Sequence, residues 1–473
     1  MLTASQPTAP PVHADRSRWV ALAAVCFGMM LTFLNITATI SSVPAIQSDL
    51  AADSATMVWI PSVFALVVAS LVLSAGTLGD VIGRRTAFVI GSAIMSAGSL
   101  TSFLSHTSAW LLAAQAITGV GAALVLPNSL SIISNSFTDP KERTEAISIW
   151  AACSGLGLAI GPLSAGAVLG AFSWNAVFGV NAIAALAVTL IAPFVVPASK
   201  VPGARLDLPG LLSATTAIAA LTFWVIDGSH SGFGSARAII AIVVFVGALA
   251  VFIAFERAVD APMLDVRLFR SPSFSTVMLV SATVLFGFTG LAFISVLFFE
   301  RVGRLDAWTT GLHLLALMGT YVVVSGIAPR LLPRTGFKVM LTSGLLTIAV
   351  GALLLLRVHP GEGWTNMTIA LVVLGVGFGS LIAPATAAAM SSVEPARAGM
   401  ASGTVNMFRQ LGGVLGTSVL GSILTSQVAA AALTDSPAEA FESAFHICAV
   451  VAAVVFAVVA VPTALFVRSR PAH

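Results

Sequence analysis

Apolar runs long enough to cross a bilayer recur fourteen times along this chain, and that repetition excludes a water-soluble globule. The runs start near Trp19, Met57, Ala87, Ala109, Ala146, Ala176, Pro209, Ala238, Ser275, Trp308, Val339, Thr365, Gly399 and Ala444. A hydrocarbon core about 30 Å thick takes roughly 20 apolar residues of helix to span. With 58% of the 473 residues hydrophobic and 9% charged, lipid must be the main solvent. Residues Met1 to Ser17 are polar and Pro-rich, and the run from Trp19 to Ile40 is too long for a signal-peptide core and lacks a small-residue cleavage site. It is expected to remain as the first helix. The longest connections, Pro197 to Leu208, Glu256 to Phe274 and Gln427 to Phe441, are too short to bury a soluble core.

The basic residues orient these spans. With a cytoplasmic N-terminus, seventeen of the 22 Lys and Arg residues fall on the inner side, four (Arg237, Arg301, Arg304, Arg357) on the outer side, and Arg409 lies within a span. The positive-inside rule therefore places both termini in the cytoplasm. The net charge of +3 follows from this topology and gives no reason to expect a nucleic-acid partner. Cys26, Cys153 and Cys448 all lie in apolar runs, where small apolar filling is the plainest role. No helical His-Glu metal pair, nucleotide loop or nucleophile elbow is read from the sequence, so neither an enzyme nor a cofactor is expected.

The most specific signal is a charged decapeptide between the second and third runs, Gly76-Thr77-Leu78-Gly79-Asp80-Val81-Ile82-Gly83-Arg84-Arg85. Its glycines let helices approach closely, and its Asp and Arg residues can latch neighbouring helices at one membrane face. A decayed second copy, Gly326-Ile327-Ala328-Pro329-Arg330-Leu331-Leu332-Pro333-Arg334-Thr335-Gly336-Phe337-Lys338, follows about 250 residues later. Two related copies in two hydrophobic halves point to a duplicated, rocking transporter.

Further signals are Gly157-Leu158-Ala159-Ile160-Gly161-Pro162-Leu163-Ser164-Ala165-Gly166 in the fifth run, and Trp174 with Phe178 and Asn181 at the start of the sixth. Asp207-Leu208-Pro209-Gly210 and Asp227-Gly228 flank the seventh, Pro262-Met263-Leu264-Asp265 with Leu268-Phe269-Arg270 precedes the ninth, and Asn406-Met407-Phe408-Arg409-Gln410-Leu411-Gly412-Gly413 lies in the thirteenth. With these motifs the chain resembles the major facilitator superfamily, in particular its fourteen-helix drug:proton antiporter branch, from about Trp19 to Val467. The resemblance implies two six-helix bundles with two inserted central helices, a cavity that opens alternately to each side, and export of lipophilic drug-like molecules driven by protons. The expected boundaries are a cytoplasmic tail over 1–18, a first bundle over 19–197, the insertion over 198–271, a second bundle over 272–467 and a tail over 468–473.

Residue roles follow from motif and physics together. Gly76, Asp80, Gly83, Arg84 and Arg85 are expected to gate, the small residues letting helix ends of opposite halves pack and the charges holding the inward side shut. Gly157, Gly161, Pro162 and Gly166 thin and kink the fifth helix, which suits a hinge at the interface of the halves. The transport pathway is expected to include Asn35, Phe64, Gln115, Asn128, Asn406, Arg409 and Gln410. Arg409 lies about 15 Å into its span at 1.5 Å per residue, where a cation is costly unless it finds partners or a wet cavity. It acts either in transport or as a structural hydrogen-bond hub. Met29, Met30, Phe33, Phe286, Phe288, Phe293, Met318 and Met407 are candidate cavity lining or, alternatively, ordinary packing surface.

The chain departs from the family at the residues tied to proton coupling. Where the family commonly carries an Asp in helix 1 and an Arg in helix 4, this chain has Asn35 and Gln115, amides that keep hydrogen-bonding capacity but do not titrate near neutral pH; Phe64 stands where a Tyr is usual. Asp227, Glu300 and His313 remain as candidate coupling groups, His313 because imidazole titrates closest to neutral pH. Three functions compete: export of lipophilic drugs; movement of a lipid, metabolite or anion anchored by Arg409 with altered or no proton coupling; and a transport-dead sensor. The expected partners are a small lipophilic substrate, protons and membrane lipid, with the chain acting as a monomer. The excess of Arg over Lys and the abundance of Ala suggest a bacterial membrane.

Overall fold

The computed structural model describes residues 12–200, 208–258, 266–361, 363–393, 398–431 and 436–469. Asp207, Pro262 to Asp265 and parts of both predicted tails lie outside the described residues. The described residues form thirteen α-helices and no strand. These are α1 (Val12–Leu50), α2 (Ser54–Ile82), α3 (Arg84–Phe103), α4 (Ser108–Ser136), α5 (Pro140–Leu169), α6 (Asn175–Val195), α7 (Leu208–Ser231), α8 (Ala236–Ala258), α9 (Pro272–Arg301), α10 (Ala307–Leu354), α11 (Thr365–Ser391), α12 (Ala398–Ala431) and α13 (Pro437–Phe466).

Local chemistry explains several starts. Asp53, Asp306 and Ser271 accept the backbone N–H three residues on and so cap α2, α10 and α9, and Ser436 with Glu439 forms a reciprocal capping box on α13. At 48 residues α10 would be about 72 Å long, more than twice the hydrocarbon thickness. It breaks at Gly336, whose φ of 76° and ψ of 164° are not helical. Both arms then flank the same stretch of α11: Gly375 meets Leu317 and Tyr321 of the first arm while Gly351 of the second meets Leu374, and Gly379 meets Tyr321 and Val324 while Gly344 meets Leu381. Contacts that advance along one arm and retreat along the other describe a hairpin, which turns thirteen helices into the fourteen spans expected from the runs.

Helices α1 to α6 pack as one bundle and α9 to α13 as another. The bundles meet along two seams, α2 against α12 and α5 against α10, and α7 lies over the first seam touching both α2 and α12. Helix α8 rests on α7, and only 17% of its most apolar window is buried. Its outward Ile239, Ile240, Val243 and Val246 are each more than half exposed, a surface that is stable only against lipid tails.

The two bundles repeat each other in detail. Gly83 and Gly336 both turn the chain with positive φ, 104° and 76°, and the next residue in each case donates its backbone N–H to a serine carbonyl beyond the last helix of its bundle, Arg84 to Ser199 and Phe337 to Ser469. In α4, Gly119 packs on α2 and Gly121 on α3; in α11, Gly375 and Gly377 pack on the two arms of α10. Only glycine allows these approaches, since a Cβ on Gly121 or Gly377 would lie 2.4 Å from a neighbouring helix.

Candidate functional site

The near face, where α1 and α3 begin, carries the charged decapeptide. Arg84 Nε donates to Asp80 Oδ1 at 2.8 Å and Arg84 Nη1 to the Ser131 carbonyl at 3.4 Å, while Arg85 donates to the carbonyls of Pro193 and Val196. Gly76 faces Pro127, and a Cβ on Gly79 would overlap the Asn128 side chain at 1.7 Å. Asn128 in turn donates to the carbonyls of Ala75 and Leu124. All these partners belong to the first bundle. The expected latch between halves is thus, in this arrangement, a clamp of α2 and α3 onto α4 and the end of α6.

The glycines of α5 differ from expectation in the same way. A Cβ on Gly157 would stand 2.4 Å from the Met30 carbonyl, and one on Gly161 would stand 1.9 Å from Thr37 Oγ1, so this face presses on α1 of its own bundle. Gly166 is buried near the end of α5, where its carbonyl accepts Gly170 N–H. Contact across to the second bundle falls to Pro162, against Gly311, and to Gly155, which faces the Tyr321 ring.

Asn35 and Gln115, the two amides expected in the coupling positions, meet directly. Asn35 Nδ2 donates to Gln115 Oε1 at 3.3 Å, Gln115 Nε2 to Ser102 Oγ at 3.4 Å, and Asn181 Nδ2 to Asn35 Oδ1 at 3.1 Å and Ser99 Oγ at 3.2 Å. This neutral relay joins α1, α3, α4 and α6, and each of the five residues is at most 2% exposed. Asn35 and Gln115 therefore lie inside the first bundle, and with the buried Phe64 of α2 they do not line an open path. From sequence Asn181 stands out only beside Trp174 and Phe178, and Ser99 and Ser102 do not stand out, because a hydroxyl in a membrane helix carries no positional signal.

At the middle of the molecule Arg409 is buried on α12, with Nη2 donating to the Ile382 carbonyl and to Thr386 Oγ1, both at 2.7 Å. Among the described residues no carboxylate pairs with it. Tyr321, the chain's single tyrosine, lies within electrostatic reach of Arg409 and beside Ser154 of α5. Its ring packs edge-on against Phe288, which meets Phe378. A cation, a phenol and a seam between bundles thus come together on residues from α5, α10, α11 and α12, and the uniqueness of Tyr321 was the sequence signal that could have revealed it. Asn406 and Gln410 flank Arg409 and are buried, Gln410 with Oε1 unpaired. Of the expected lining, Met29, Phe288, Phe293 and Met318 are at most 1% exposed and belong to the packed core. Met30 lines an apolar groove with Trp19, Leu22, Cys26, Phe27, Ile149 and Cys153 between α1 and α5.

The far face closes the seam. Ser62 on α2 hydrogen-bonds Thr417 at 3.2 Å and Ser418 at 3.4 Å on α12, Gly421 touches Val58, and Arg301 at the end of α9 donates to Gln47 of α1 and reaches Met57 of α2. Glu300, beside Arg301, is half-buried with Oε1 unpartnered. Asp227 on α7 accepts from Ser231 through Oδ1 and leaves Oδ2 unpartnered. His313 stacks on Phe299 at 5.2 Å and lies tilted against Trp364 at 5.4 Å, and those two rings also meet each other.

Comparison with known proteins agrees with this architecture. The human organic anion transporter MFSD10 superposes with a TM-score of 0.67 over 96% of this chain and 100% of its own at 14% identity, and the peptide transporter POT in complex with sulfate gives 0.67 over 96% of each chain at 17% identity. Multidrug resistance protein Stp of Mycobacterium tuberculosis is 31% identical over 88% of this chain and 78% of its own length. Multidrug efflux pump LfrA of Mycolicibacterium smegmatis is 30% identical over 90% and 84%, and puromycin resistance protein pur8 of Streptomyces alboniger 31% identical over 91% and 87%. Residues 25–417 match the Major Facilitator Superfamily profile, and the chain, a multi-pass membrane protein built as two helical bundles around a buried arginine, belongs to that superfamily.

Proposed function

We propose that this protein exports small lipophilic molecules across a bacterial cytoplasmic membrane by alternating access, with the near face and both termini in the cytoplasm. The observation that carries the reading is the placement of contacts between bundles. Ser62 to Thr417, Arg301 to Gln47 and Gly311 to Pro162 all lie toward the far face, while among the described residues the side-chain bonds of the charged decapeptide at the near face stay within its own bundle. Such a molecule is closed outward and free to part inward. The similarity to Stp, LfrA and pur8, named for multidrug or puromycin resistance, supports drug-like cargo. The excess of basic residues on the near side supports the orientation. No catalytic role is proposed. In cells lacking other pumps, expression is expected to lower ethidium accumulation severalfold, with Arg84→Ala abolishing the effect; unchanged accumulation across a panel of lipophilic dyes would refute the drug reading.

Arg409 favours a second reading, in which the cargo is anionic. Its guanidinium is buried at the middle of the molecule with two neutral partners and no described carboxylate, so its charge calls for an anion. If the cargo is anionic, Arg409→Gln abolishes transport of anions and leaves any export of cationic dyes in place.

For coupling, Glu300 is the carboxylate the geometry favours. One of its oxygens is buried without a partner, and it adjoins the Arg301 contact that closes the far seam, so its protonation and the opening of that seam share one place. In proteoliposomes Glu300→Gln is expected to remove the dependence of flux on an imposed pH gradient, and flux that still follows the gradient would exclude it.

A further inference from the structure

At the far end of the second bundle, His359, Glu442 and His446 offer one ligand atom each, all within 4.8 Å of one another. Glu442 and His446 stand one turn apart near the start of α13, a helical pair that the sequence reading passed over because its third member comes from the segment after α10, 83 residues before Glu442. The groups are held by structure on both sides. His359 Nδ1 hydrogen-bonds Glu442 Oε1, and His446 Nε2 donates to the Val358 carbonyl at 3.0 Å, which fixes the tautomer and leaves Nδ1 with its lone pair. A metal-binding histidine is oriented by just such a bond from its second nitrogen. The two imidazoles are perpendicular, 5.8 Å apart, so the cluster is a convergence of side chains and not a stack.

We propose that these three residues form a divalent transition-metal site, with Zn2+ as the cation the donors fit best, on the face opposite the decapeptide. Two neutral imidazoles and a carboxylate match the borderline softness of Zn2+ and disfavour Ca2+ and Mg2+, which take oxygen donors. Three protein ligands leave a fourth position for water, and His359, half-exposed, gives solvent a route to it. The ion would bridge the end of the α10 hairpin to α13, within one bundle, and so would brace that bundle without crossing the seam. The site rests on the geometry of the cluster and does not depend on the transport reading.

Full-length protein in detergent, with any affinity tag removed, would be titrated with ZnCl2 against a chromophoric chelator, and its melting temperature recorded with and without ZnCl2. The wild type is expected to take up one equivalent and to melt higher with it. His359→Ala, which removes a half-exposed side chain, and Glu442→Gln are each expected to weaken binding at least about tenfold and to abolish the shift, whereas His106→Ala leaves both unchanged. Absence of binding by the wild type, or equal affinity in a His359→Ala/His446→Ala double variant, would overturn the site. X-ray absorption of the loaded protein should show two imidazoles, and a shell of oxygens alone would equally refute it.

Discussion

A buried amide pair shows how single residues tie separate helices together where water does not reach. Asn35 and Gln115 meet through a hydrogen bond that Asn181, Ser99 and Ser102 extend across four helices. Replacing one partner leaves the other unsatisfied in a site that water does not reach, at a cost of about 1–3 kcal/mol. Gln115→Leu and Asn35→Leu are each expected to lower thermal stability by that amount in detergent, and the double variant by clearly less than the sum; strict additivity would show the pair is not coupled. Asn35→Asp or Gln115→Arg alone buries an unpaired charge, whereas the two together can form an ion pair, so only the double variant should be recovered folded. Arg409 was legible as a midplane cation because a charge in an apolar run stands out. Its partners were not, since a backbone carbonyl and a threonine hydroxyl look like any others until α11 and α12 are packed.

Among the helices, glycine does the most specific work. Gly412 and Gly416 bring α12 so close to α9 that a Cβ on either would stand about 2 Å from a carbonyl, 1.9 Å from Ala282 and 2.0 Å from Phe286. The break in α10 depends on Gly336 alone, because its φ of 76° with ψ of 164° is a region only glycine enters freely, and a Cβ there would meet the Ser469 carbonyl at 2.4 Å. Gly336→Ala is expected to cost about 1–3 kcal/mol and to lower the melting temperature, while Gly234→Ala, in open space with no positive φ, changes it little. Equal melting of the two variants would argue against a strained turn. The decapeptide copy at Gly326 to Lys338 signalled this element, although without a structure it could not show that the two predicted spans meet at one non-helical residue, Gly336, and fold back on each other as a hairpin.

For the whole molecule, function depends on which ends of the two bundles touch. The bonds from Ser62 to Thr417 and Ser418 hold the far ends together, so a Ser62→Cys/Thr417→Cys variant joined by a short thiol crosslinker should stop dye export, and cleaving the linker should restore it; export that continues while joined would refute alternating opening at this seam. The sequence by itself determined the membrane class, the span count, the duplication and the motif positions, because hydrophobic length, glycine spacing and charge bias are properties of consecutive residues. Tertiary structure alone decided which surfaces those motifs serve. It set the decapeptide against α4 and α6, turned the α5 glycines toward α1, sealed most of the expected Met and Phe lining into the core, and drew Tyr321 to Arg409 and His359 to Glu442. Each of those pairings joins residues far apart in the chain, and helix rotation and packing, which fix them, leave no trace in local sequence.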